Sequence, residues 1–261
     1  MLTADFLAYG MKKLADNKKD ENLAKYLYKY VDNKEKFIKG IDQIIAGIPV
    51  QYIVGNVNFY GFIFNVNASV LIPRFETEEL VNKTFDYIEK NFAKDLDVVD
   101  VGTGTGCIAV TLKKLLPYCH MSAVDISLKA LDVACDNAKL NSCDIDFHLG
   151  DLLSPLTKKY DVIISNPPYI DHNDYDVMDI VKNNEPKIAL YAGNEGLENY
   201  ENILKNANKY LKTKSMIALE IGADQGKKVA NLAKTYFPNS HIIVKQDMQD
   251  RDRFIFVFNN F

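Results

Sequence analysis

Residues 98–110 read Val98-Val99-Asp100-Val101-Gly102-Thr103-Gly104-Thr105-Gly106-Cys107-Ile108-Ala109-Val110: an apolar run, a glycine at every second position, then a helical pattern. The run has the β-branched content of a buried strand. Alternating glycines let the backbone turn sharply and approach a ligand, and the helix that follows offers free N–H groups at its amino end. A strand feeding such a loop and helix is the opening unit of an open α/β sheet, and a cofactor belongs on the loop. The spacing is G-x-G-x-G, not the G-x-G-x-x-G of pyrophosphate-binding turns, which weakens the reading as a nicotinamide site without excluding it.

Downstream of this unit, strand-like runs recur at 120–125, 145–149, 160–165, 216–221, 241–246 and 253–258, with helical patterns between the first several. Seven strands arranged this way predict an α/β fold built on a mainly parallel, doubly wound, Rossmann-like sheet. The last two runs are joined only by the polar stretch around 247–252, so they should pair as an antiparallel hairpin at one edge. Upstream, apolar residues at helical spacing up to about residue 48, broken by Lys, Asp and Asn clusters, predict a small helical bundle. Its lysines read as a solvated face. Between the two units, 57–72 alternates aromatic and β-branched residues with breaks at Gly61 and around Asn65 and Asn67, the pattern of a β-hairpin. The predicted organisation is a helical domain over 1–56, a hairpin linker over 57–73 and a sheet domain over 74–261.

Composition narrows the function classes. With 261 residues, 48% of them hydrophobic, the chain can bury one full core and a smaller appended unit. A net charge of -4 gives no overall basic footprint for a long duplex. Cys107, Cys119, Cys135 and Cys143 form no C-x-x-C pair and read as free thiols in a reducing compartment. Residues 1–10 lack a basic region followed by an apolar core, and no uncharged apolar run approaches the roughly 18 residues of a membrane span. A soluble, cytoplasmic protein is expected.

Candidate site residues cluster at strand ends. Asp125 closes the second strand of the sheet, where a carboxylate can accept two hydrogen bonds from vicinal ribose hydroxyls, and Ser127 is a candidate N-cap for a helix over 128–140. After the third strand, Asp151 can accept from an exocyclic amine and Leu152 can cover one face of an adenine. The fourth strand runs into Asn166-Pro167-Pro168-Tyr169. Two prolines donate no backbone hydrogen bonds and have fixed φ, so they end the strand in a stiff turn. That turn lies at a carboxyl strand end beside the glycine loop, where ligands collect in such sheets. The Asn166 side-chain oxygen and the Pro167 carbonyl can each hold one N–H of a planar NH2 group and aim its weakly nucleophilic nitrogen at an electrophilic methyl, while Tyr169 packs over the plane. No general base has to act first, because the extra proton becomes acidic only as the methyl moves. The chain shows no His/Asp/Ser constellation and no metal is expected; His120, His148 and His241 fall in strands and read as structural, and His172 lies in a loop.

The chain resembles the peptide chain release factor N5-glutamine methyltransferase (HemK/PrmC) family. The resemblance is carried by Pro49-Val-Gln-Tyr-Ile-Val-Gly55, Phe59-Tyr-Gly61, Leu71-Ile-Pro-Arg74 with Glu76-Thr-Glu78, the 100–106 loop, Asn166 to Ile170, Glu185-Pro186 with Ala189-Leu190, Gly196-Leu197, and Glu220-Ile-Gly222 with Gln225. It implies a class I methyltransferase sheet with an antiparallel last strand, and S-adenosyl-L-methionine as cofactor, leaving as S-adenosyl-L-homocysteine. The acceptor it implies is the glutamine of the Gly-Gly-Gln tripeptide in class I release factors. By the same resemblance Gly102, Thr103, Gly104, Thr105, Gly106, Asp125, Asp151, Leu152 and Asn166 hold the cofactor. Asn166, Pro167, Pro168 and Tyr169 hold the glutamine amide, with Arg74, Glu76 and Thr77 at the mouth. The helical domain would grip the release factor, with the enzyme a monomer that needs neither nucleic acid nor membrane. Two other classes fit parts of the pattern: a methyltransferase of an exocyclic amine on adenine or guanine, which needs basic and aromatic surface and a way to extrude the base, and a nucleotide-binding or redox module in which the proline turn is only structural. The polar loop 171–184 is expected to act as a mobile lid.

Overall fold

A computed structural model describes residues 3–174 and 177–261, so the expected lid falls partly outside the described residues, as do the first two positions of the helical pattern. Helices α1 (Ala4–Asp16), α2 (Asn22–Tyr30) and α3 (Lys34–Ile45) bury Leu14, Ala24, Leu27, Phe37 and Ile41 together. The start of α3 is capped by Asn33, whose side chain accepts from Lys36 N at 2.9 Å. A fourth helix, α4 (Val50–Val54), was not expected. Its five residues are too few to display a period; it opens on Pro49 and stops at Gly55, whose φ of +82° closes it in the left-handed region.

The hairpin pairs β1 (Asn56–Phe59) with β2 (Phe62–Asn65) across Tyr60 and Gly61, both at positive φ, the two-residue turn that matches strand twist. It is shorter than the sequence pattern suggests, because the Asn67 side chain captures Ser69 N at 2.8 Å and forms a local turn that competes with a ladder. Buried Asn137 staples the hairpin to the sheet unit. Its Oδ1 accepts from Asn65 N at 2.7 Å, and its Nδ2 donates to the carbonyls of Asn65 at 3.0 Å and Thr105 at 2.9 Å.

The seven-stranded sheet comprises β3 (Asp97–Val101), β4 (His120–Asp125), β5 (Asp146–Leu149), β6 (Tyr160–Ser165), β7 (Leu211–Glu220), β8 (His241–Gln246) and β9 (Asp252–Asn259), in the order β5-β4-β3-β6-β7-β9-β8. All neighbours are parallel except β9, which runs antiparallel to β7 and β8, so the predicted terminal hairpin is present at one edge. Strand residues alternate between two buried faces: Val98, Ile164, Met216 and Phe256 point to one core, Val99, Ile163, Ile217 and Val257 to the other. Helices α5 (Phe75–Asn91), α6 (Cys107–Leu115), α7 (Leu128–Leu140), α8 (Asp179–Asn184), α9 (Glu198–Ala207) and α10 (Gly226–Tyr236) complete the unit. The connection from β5 to β6, residues 150–159, forms turns; it is short and carries Pro155, and it buries Leu153 and Leu156 instead of a helical face. Among the described residues no helix is long and apolar enough to cross a membrane. The strand order reverses between β3 and β6, which places the crevice for ligands at their carboxyl ends.

Candidate active site

A cavity of about 410 Å³ opens at that crevice. Its floor is the glycine loop, with Gly102 at φ +74° and Gly104 at φ +54°; a side chain at either would be strained by the backbone and would stand in open space on the cavity side. Thr103 and Thr105 also line the cavity, whereas Gly106 does not: a Cβ there would lie 3.2 Å from that of Ala134, so this glycine serves the packing of α6 on α7.

Asp125, at the end of β4, accepts from Gly104 N at 2.9 Å through one oxygen and from Ser127 N at 2.8 Å through the other. Each oxygen keeps a second lone pair, and the residue forms part of the cavity wall. Burial pushes its carboxyl above the usual range, opposed by these N–H groups. Ser127 caps α7 as predicted, accepting from Ala130 N at 3.3 Å. Asp151 and Leu152 both line the cavity, and Leu152 is held at φ +46°, a conformation that a β-turn must enforce on a non-glycine residue.

A smaller space of about 100 Å³ adjoins the first, and the two share Leu71, Arg74, Asn166, Pro168 and Ala189 in their walls. Pro167 and Tyr169 line only the smaller one, which also receives Glu220 from the end of β7. Asn166 therefore stands where the two spaces meet. Its Nδ2 donates to Thr77 Oγ1 at 3.1 Å, and Thr77 in turn donates to Glu220 Oε2 at 2.8 Å. That chain fixes the amide's orientation, so its carbonyl oxygen points away from Thr77 and accepts no hydrogen bond from the described residues. Arg74 pairs with buried Glu185, whose other oxygen accepts from Ile72 N at 3.1 Å, so the segment after α8 is tied to the chain leaving the hairpin. Glu76, expected at the mouth, lines neither space and sits in the first turn of α5. His172 does line the larger cavity, stacked on Tyr191 with ring centres 5.3 Å apart.

Two fully buried acids flank this arrangement. Asp100 accepts from Thr103 Oγ1 at 2.6 Å through one oxygen, while the other finds no partner among the described residues. Burial pushes both Asp100 and Glu220 up to about 7, against ordinary values of 3.8 and 4.5. The folded state therefore holds these protons more tightly than the unfolded chain. The stability they lend is fully present below the ordinary carboxyl values and is lost as pH rises through about 7. The expected result is a melting temperature that falls between roughly pH 5 and 7.5 and a shallower fall in Glu220→Gln. A slope equal in variant and wild type would remove Glu220 from this account.

In the sequence, Leu71, Glu185, Glu220 and Gln225 carry the family resemblance without an assigned role, although all but one end or follow a strand or helix beside the crevice. The available signal was a carboxylate directly after the apolar run 216–219, at Glu220.

A reversed last strand, a glycine loop facing a carboxylate at the end of the neighbouring strand, and a proline turn with a free amide oxygen define an S-adenosylmethionine-dependent methyltransferase. The cavity fits that cofactor through its open glycines, the lone pairs of Asp125 and the apolar cover of Leu152. Residues 79–187 match the methyltransferase small domain family. The release factor glutamine methyltransferase of Bacillus cereus is 40% identical over 230 residues, covering 86% of this chain and 81% of the relative. That of Bacillus subtilis is 41% identical over 230 residues, covering 86% and 80%. The fold also matches the solved T. thermophilus 16S rRNA N2 G1207 methyltransferase in complex with AdoMet and guanosine, with a TM-score of 0.59 at 15% identity, over 78% of this chain and 50% of that one. The chain belongs to the release factor glutamine methyltransferase family.

Proposed function

We propose that this protein transfers the methyl group of S-adenosylmethionine to the side-chain amide nitrogen of the glutamine in the Gly-Gly-Gln tripeptide of class I release factors. The observation that carries the reading is the position and orientation of Asn166: at the junction of the two spaces, with its amide nitrogen committed to Thr77 and its oxygen uncommitted. The larger cavity takes the cofactor, held by the Gly102 to Thr105 backbone, Asp125, Asp151 and Leu152. When bound, the cofactor supplies an electrophilic methyl on a sulfonium. The narrower space takes the glutamine side chain, between Leu71, Tyr169 and Leu190.

Asn166 Oδ1 and the Pro167 carbonyl accept the two amide N–H groups and set the nitrogen in line with the methyl. As the nitrogen loses its delocalised lone pair to the new bond, its N–H groups become more acidic. Hydrogen bonds to the two oxygens therefore strengthen toward the transition state, the condition under which binding accelerates a reaction. The released proton passes to solvent after transfer, so no strongly basic side chain is required. Arg74 and Thr77 shape the entrance, and the helices over 1–56 provide a second contact for the release factor. The enzyme acts as a cytoplasmic monomer, with protein and not nucleic acid as substrate.

Incubation with labelled S-adenosylmethionine and either a purified release factor or nucleic acid tests the substrate. Label should enter the release factor and disappear when its Gly-Gly-Gln glutamine is replaced by alanine. Label in RNA or DNA alone would overturn the assignment.

A further inference from the structure

The Asn166-Pro167-Pro168-Tyr169 turn cannot hold itself. Its prolines supply no N–H, so the carbonyls on the far side of the turn need donors from elsewhere. Two side chains provide them. Asn199 Nδ2 donates to the Pro168 carbonyl at 3.0 Å, and Gln225 Nε2 donates to the Tyr169 carbonyl at 3.0 Å. Gln225 is held in turn: its second N–H reaches the Glu195 carbonyl at 3.1 Å, and its Oε1 accepts from Gly222 N at 2.9 Å and Tyr200 OH at 3.3 Å. Both donors and the oxygen of this amide are used, so a flipped rotamer would break every contact. The notch is cut to fit. Gly196, at φ +69°, passes so close that a Cβ would sit 2.0 Å from the Tyr169 oxygen, and a Cβ on Gly222 would lie 2.8 Å from Gln225 Oε1.

Among the described residues neither the Pro167 carbonyl nor Asn166 Oδ1 receives a donor. The clamp thus occupies the later carbonyls of the turn and spares the two oxygens assigned to the acceptor. With φ fixed at both prolines, the direction of the Pro167 carbonyl depends on the few torsions that remain, and anchoring the two following carbonyls removes them. We infer that Gln225 is a positioning residue for methyl transfer: it acts through the Tyr169 carbonyl to hold the Pro167 carbonyl on the acceptor amide. This inference rests on the functional reading above.

The test uses the full-length enzyme with S-adenosylmethionine and a release factor. Gln225→Met keeps the volume and removes both donors. Turnover should fall about tenfold to a hundredfold, with the cofactor dissociation constant unchanged within about twofold by calorimetry, because Gln225 does not line the cofactor cavity. Gln225→Glu adds a readout that simple packing would not move. Only its protonated acid can donate to the Tyr169 carbonyl, so its activity relative to wild type should rise as pH falls from about 8 to about 6. A third measurement needs no substrate: hydrogen exchange at Ile170, whose N–H bonds the Leu190 carbonyl at 3.0 Å just beyond the clamp, should speed up at least about tenfold in Gln225→Met. Turnover within about twofold of wild type, unchanged exchange at Ile170, or a loss of cofactor affinity in step with turnover would each overturn the inference. A wild-type enzyme that labels no release factor sinks the substrate reading alone, since exchange at Ile170 tests the clamp without it.

Discussion

Asn166→Ala should lower turnover of the release factor by about a hundredfold to a thousandfold, the loss typical for deleting one preorganised contact to developing charge. Cofactor affinity should move only severalfold, since most of the cofactor cavity belongs to other residues. Thr77 Oγ1 accepts the Asn166 N–H and donates its own O–H to Glu220 Oε2, so the oxygen of Asn166 is presented without rotamer search. Alanine removes that oxygen and also frees Thr77. The Pro167 carbonyl remains, which is why residual activity is expected above the uncatalysed reaction. Kinetics at saturating substrate decide it: near wild-type turnover would show that Asn166 does not touch the acceptor. Asn166→Asp should be no rescue, because a carboxylate offers Thr77 no donor and competes with Glu220 for its hydroxyl proton.

Asp125→Ala should weaken S-adenosylmethionine binding by about 2–3 kcal/mol, or roughly 30-fold to 150-fold in dissociation constant, the worth of two hydrogen bonds to an ionised acceptor. The carboxylate also holds Gly104 N and Ser127 N, so its loss relaxes the glycine loop and the start of α7 together. Titration calorimetry with S-adenosylmethionine and with S-adenosylhomocysteine separates the contributions. The ribose is common to both, so both should weaken alike. An unchanged dissociation constant for either would take Asp125 out of the ribose site.

What could be read from the sequence was what depends on neighbours along the chain. Buried parallel strands carry apolar runs, so β4 and β6 lie at their predicted bounds, and the Ser127 cap fixed the start of α7. Short elements escaped: α4 has no room for a period, and the hairpin ends at the break expected around Asn65 and Asn67 instead of running on to residue 72. The same division runs through the site. The glycine loop and the proline turn each announce themselves locally. Glu220 lies 143 residues from the Thr77 hydroxyl it receives, and Glu185 lies 111 from Arg74, so only folding reveals these partnerships. Glu76 shows the converse, since its place in a motif did not carry it into either cavity.

The groups proposed to hold the cofactor and those lining the narrow space are distributed differently along the chain. The cofactor groups proposed here, apart from Asn166, fall within one stretch from Gly102 to Leu152, whereas the narrow space draws on Leu71, Asn166, Val181, Leu190 and Glu220, from five separate elements and loops. The first is a cassette that can be inherited whole by enzymes with unrelated acceptors. The second has no such unit of inheritance: a new acceptor requires coordinated substitutions at distant positions, each of which must preserve the Thr77 and Gln225 contacts. Divergence within this lineage should therefore leave the donor side constant long after choice of acceptor has begun to drift.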